Sequence, residues 1–127
     1  MNTSDVITDA DGETILDEQH LAQFIDEAID DFILIMNEAL ADVPQSLETL
    51  TQASTLGDCT QVKALAHSLR GTVASFGCRL MSEKLLVLEH AVPVSGVPTA
   101  ETLEELQAVW KRTLPAIEAW IKQNATV

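Results

Sequence analysis

Ala66-His67-Ser68-Leu69-Arg70-Gly71-Thr72-Val73, continuing to Phe76-Gly77, is the stretch on which the reading of the whole chain turns. At about 100° per residue, with Val62 at zero, Leu65, Ala66, Leu69, Val73 and Phe76 all fall within roughly 60° of Val62. That is the buried stripe of an amphipathic helix. His67 falls near 140° and Gly71 near 180° on the same wheel, roughly where water should be. The neighbours of His67 on that face are Lys63, Ala64, Arg70, Gly71 and Ala74, three of them very small. A glycine inside a helix costs about 0.5–1 kcal/mol relative to alanine, so local stability does not explain Gly71. Access to the imidazole one turn back does explain it. Arg70, at i+3, can set a positive charge beside the ring. The pattern describes an exposed nucleophile with a cation close by and a flat surface for docking.

The rest of the chain reads as helix after helix. Residues 1–14 are small, polar and acidic, and are expected to form a flexible arm ahead of a domain over residues 15–127. Asp17 is a plausible N-cap for a short helix to about Ile25, with Leu21, Phe24 and Ile25 as its apolar face. From Glu27 the spacing of Ile29, Phe32, Ile33, Met36, Ala39, Leu40 and Val43 predicts a longer helix. Pro44 should kink or break it before Leu47, Leu50, Thr51 and Ser54 resume the pattern. Gly57 ends this arm, and Asp58 with Gln61 reads as a capping box opening the central helix, Cys59 to Ser75, which Gly77 closes. A further helix is expected over Arg79–Ala91, with Leu80, Leu85 and Leu88 in the core, then a loop over Val92–Pro98. Thr99 caps the last helix, which Leu103, Leu106, Val109, Trp110, Leu114, Ile117 and Ile121 carry to about Lys122, with a kink at Pro115. The fold class is all-α: an antiparallel up-down four-helix bundle with a short extra N-terminal helix.

Composition bounds the rest. A hydrophobic content of 46% in 127 residues is enough for one modest core. Aromatics make up 4%, with no tyrosine, which predicts an aliphatic core. A net charge of −13 argues against general affinity for nucleic acid or anionic lipid. Cys59 and Cys78 are too few for a disulfide framework and have no metal-site spacing, so they read as reduced thiols of a cytoplasmic protein. The amino terminus lacks the basic and apolar regions of a signal peptide, and the run Phe32–Met36 is too short to span a bilayer. From Met1 to just past its last helix the chain reads as a stand-alone module, expected to be a monomer. His20, His67 and His90 show no i+3 or i+4 pairing, and no cysteine joins them. His20 reads as a capping or surface residue and His90 as a cation at a helix C-terminus.

The run His67-Ser68-Leu69-Arg70-Gly71-Thr72, with Phe76-Gly77 and Leu80, resembles the signature of histidine phosphotransfer (HPt) domains, which pass phosphoryl groups in bacterial and fungal phosphorelays. The resemblance spans roughly residues 16–122, and the family usually carries lysine where this chain has Arg70. It implies a phosphocarrier without kinase activity of its own. His67 would take a phosphoryl group from an aspartyl phosphate on a receiver domain and pass it to a second receiver, the partners being a hybrid histidine kinase and a response regulator. It also implies that Glu89, 22 residues after His67, orients the imidazole. Arg70, helped by Lys63, would offset phosphoryl charge. Gly71 would give access, and Lys63, Ala64 and Ala74 would meet the receiver. Such a domain has no cofactor of its own, since Mg²⁺ belongs to the receiver. The alternative is a helical scaffold that binds partners without phosphate chemistry.

Overall fold

The computed structural model describes residues 14–126. Of the arm expected over residues 1–14, all but Thr14 lies outside the described residues. Among the described residues there are six helices: α1 (Glu18–Ala22), α2 (Ile29–Leu40), α3 (Val43–Thr55), α4 (Cys59–Ser75), α5 (Arg79–Ser95) and α6 (Ala100–Asn124). Helices α2 and α3 make one interrupted arm, with Pro44 in the first turn of α3, where its missing N–H costs nothing. This arm packs on α4, α4 on α5, α5 on α6, and α6 returns to α3. The short connections 56–58, 76–78 and 96–99 turn the chain back between packed neighbours. The result is the helical bundle implied by the apolar spacing, with α1 set against one end.

Both ends of α4 are fixed by the same kind of corner. At Gly57 (φ +70°) the N–H of Asp58 bonds the Ala53 carbonyl at 3.0 Å and that of Gly57 bonds Ser54 at 3.1 Å. At Gly77 (φ +73°) the N–H of Cys78 bonds Val73 at 2.9 Å and that of Gly77 bonds Ala74 at 3.1 Å. These paired bonds are Schellman motifs, which use up the orphan carbonyls of a helix end. Asp58 then opens α4 by accepting from the Gln61 N–H at 3.1 Å. The lead-in segment lies on the second corner. Asp17 N–H bonds Gly77 O at 2.7 Å, Leu80 N–H bonds Ile15 O at 3.4 Å, and Ile15 and Leu16 are buried.

Several expectations are corrected. Helix α1 stops at Ala22 rather than Ile25; Leu21 is buried but Ile25 is exposed, because the chain must turn there to enter α2. Helix α5 continues past Ala91 and through Pro93 to Ser95, where a loop was expected. Proline forfeits only the bond its N–H would give to the Glu89 carbonyl, and buried Val92 holds this turn on the core until Gly96 (φ +84°) ends it. His90 therefore sits inside α5 and not at its C-terminus. Helix α6 runs through Pro115 as expected, but Leu114 of its expected apolar face is exposed, while Thr113, Ala116 and Trp120 are buried. Nor is the core purely aliphatic. Phe24 stacks on Phe32 with centroids 4.1 Å apart, and Phe32 also meets Phe76 (5.7 Å) and Trp120 (6.1 Å). Buried Trp110 adds a further ring.

A Cβ at Gly77 would lie 2.8 Å from Leu21 Cγ, whereas one at Gly57 would meet nothing within 4 Å. Both positions carry the left-handed penalty, about 1–2 kcal/mol for an L-residue. Gly77→Ala is therefore expected to lower stability in urea unfolding by clearly more than Gly57→Ala. Equal losses would mean that the Leu21 contact does not matter.

Candidate functional site

Helix α4 buries Val62, Ala66, Leu69 and Val73 and so turns His67 outward, its side chain 68% exposed. The neighbouring helix supplies the partner. Glu89 lies among the buried positions of α5, its side chain 8% exposed. Its Oε1 accepts a hydrogen bond from His67 Nδ1. An ionised carboxylate only accepts, so the ring hydrogen is on Nδ1 and the lone pair is left on Nε2. The other carboxylate oxygen, Oε2, lies 3.5 Å from Arg70 Nη2, which is also 3.3 Å from His67 Nδ1. Burial by itself pushes the Glu89 carboxyl up. Its hydrogen bond and electrostatic attraction with His67, and the attraction of Arg70 and His90, outweigh it and hold Glu89 below the ordinary glutamate value.

Gly71 and His67 border a shallow hollow shared with Ser68, Thr72, Ser75 and Phe76 of the α4 region and with Ala39 of α2. A Cβ on Gly71 would meet no atom within 4 Å. Packing inside the domain therefore does not require glycine at this position. The sequence points to parts of the preceding helices around His67, and in the structure the contribution comes from Ala39 in the apolar stripe of α2. Lys63, Ala64 and Ala74 do not line the hollow: the first two are exposed on the preceding turns and Ala74 is half-buried. The recess lies instead on the side facing α2. The other histidines stand apart from this chemistry. The His20 backbone N–H is capped by Asp17, and its Nε2–H donates to the Ser75 carbonyl at 2.9 Å. Burial pushes the Cys78 thiol up to about 12, which keeps it protonated and unreactive. Among the described residues no group of three His, Cys, Asp or Glu side chains could hold a metal ion, and no helix is long and apolar enough to cross a membrane.

An exposed imidazole is thus held through one nitrogen by a carboxylate from the adjacent helix. The family model for the Hpt domain matches residues 34–120, more than half of the chain, and the protein belongs to that family. Comparison with curated proteins and with solved structures gave no match.

The Glu89 shift has a consequence for stability. A carboxyl whose folded value is depressed contributes stability above its ordinary value, 4.5 here, and that contribution is lost as pH falls through the folded value. Glu89→Gln is thus expected to be less stable than the parent at pH 7, with the gap closing once Glu89 is protonated in acid. Urea unfolding at pH 7 and pH 3 checks this.

Proposed function

We propose that this protein is a phosphotransfer intermediate of a two-component phosphorelay, with His67 as the residue phosphorylated. The single observation that carries the reading is the pairing of an outward His67 with a buried carboxylate on its Nδ1. In the transfer step the Nε2 lone pair attacks the phosphorus of a receiver's aspartyl phosphate. The P–O bond to the aspartyl carboxyl breaks, and the carboxylate leaves with the electron pair. The phosphorylated ring then carries a positive charge, with its proton still on Nδ1, and Glu89 lies against that proton to offset the charge. Return of the phosphoryl group to a second receiver reverses the same bonds. Transfer through a loose transition state asks mainly for position and charge compensation, which is what a rigid bundle can supply. The Mg²⁺ of such reactions comes with the receiver.

The docking face in this reading is the hollow beside His67, extended along α2 from Ala39 to Ile35, which is 56% exposed one turn earlier. Small side chains there let the partner's aspartyl phosphate come close to the ring.

His67→Gln keeps size and polarity but has no nucleophilic nitrogen. It is expected to take no label from a phosphorylated receiver domain that labels the parent, and label retained on the variant would overturn the reading in favour of a phosphate-independent scaffold. At Gly71, an alanine is expected to raise stability by about 0.5–1 kcal/mol, since it fits and suits a helix better. Gly71→Leu is expected to leave circular dichroism unchanged and to slow transfer at least tenfold. Undiminished transfer in that variant would show that no partner needs the space.

A further inference from the structure

The Arg70 guanidinium lies beside the Nδ1 side of the His67 ring and beside Glu89. Its Nη2 is 3.3 Å from His67 Nδ1, the nitrogen that already donates to Glu89. Two donors cannot bond each other, so this approach is proximity without a hydrogen bond. The acceptor within ion-pair reach is Glu89 Oε2, at 3.5 Å. The arginine side chain is 27% exposed against 68% for His67, and its Nε is buried without a hydrogen-bond partner. A cation meant to meet phosphoryl oxygens on Nε2 would lie along the exposed edge of the ring. This one is drawn into the α4–α5 seam and leaves a donor unsatisfied there.

We propose that Arg70 is a positioning residue that acts through Glu89. Its guanidinium is the counter-ion that keeps a nearly buried carboxylate ionised and in place, and the carboxylate in turn fixes the His67 tautomer. Oε1 goes to the ring and Oε2 to the guanidinium, so a single side chain of α5 bridges two of α4. Without the cation, Glu89 takes a proton or swings out to water, the hold on Nδ1–H is lost, and the imidazole divides between tautomers. Only the tautomer with hydrogen on Nδ1 leaves Nε2 nucleophilic. The kinetic consequence rests on the carrier reading; the tautomer consequence does not.

The test is a double-mutant cycle with a spectroscopic arm. The parent, Arg70→Ala, Glu89→Gln and the double variant are compared for transfer from a phosphorylated receiver domain, and for His67 ring ¹⁵N shifts, which report the tautomer. A glutamine at 89 still accepts from Nδ1–H through its carbonyl but needs no counter-ion. Arg70→Ala is expected to slow transfer at least tenfold in the parent and to change it by no more than twofold in the Glu89→Gln background. An equal loss in both backgrounds would assign Arg70 to the phosphoryl group and overturn the proposal. The ¹⁵N shifts should show the Nδ1–H form in the parent, a mixture in Arg70→Ala, and partial recovery in Arg70→Lys. A pure Nδ1–H form in Arg70→Ala would overturn it as well. If the parent itself takes no label from any receiver, the carrier reading fails, and the ring shifts alone decide the role of Arg70.

Discussion

A carboxylate almost hidden from water, shared between a ring and a guanidinium, is the interaction on which the site depends. Burying Glu89 costs free energy that its two partners offset. Together, His67 and Arg70 hold it ionised, and its depressed carboxyl value reflects that balance. In return the imidazole has one orientation and one tautomer before any partner arrives. All three side chains lie on a single helix pair, α4 and α5, which is the most intimately packed pair in the bundle.

That pairing is set by the corner between the two helices. His67 precedes Gly77 by about 15 Å of helix and Glu89 follows it by about 18 Å, at 1.5 Å per residue. In an antiparallel pair, residues at similar distances from the turn face each other. The Gly77 corner thus sets the register that brings the ring to its acceptor. Leu21 against Gly77, and the backbone bonds from Asp17 and Ile15 to the same corner, brace the turn from outside. The N-terminal segment therefore bears on the site although it contributes no side chain to it.

Much of this was legible in the sequence. Helix α4 could be bounded from Gly57, Asp58 and Gly77, because caps and left-handed turns are local and leave a local signature. His67 could be placed outside the stripe by periodicity alone. The partner on α5 could not, since the facing of two helices depends on the corner's geometry, and Glu89 entered only through resemblance. Local rules failed where packing overruled them. Pro93 stayed inside a helix because Val92 anchors that turn in the core. The aromatic group of Phe24, Phe32, Phe76 and Trp120 is assembled from distant stretches that no window of sequence contains together. The sequence reading gave Arg70 a role beside an incoming phosphoryl group but could not show that Glu89, one helix away, lies 3.5 Å from its guanidinium.

The hollow beside His67 is bordered by glycine, alanine and hydroxyl side chains, with Phe76 at its edge. Such a face has little relief and few groups by which to tell one visitor from another. For a carrier that must serve a donor and an acceptor in turn, plainness is an advantage: both can dock on the same ground without remodelling it. If receivers dock there, discrimination among them would come from the margin of the hollow, where Ile35 is exposed on α2, and changes in pathway wiring could accumulate there without disturbing the chemistry.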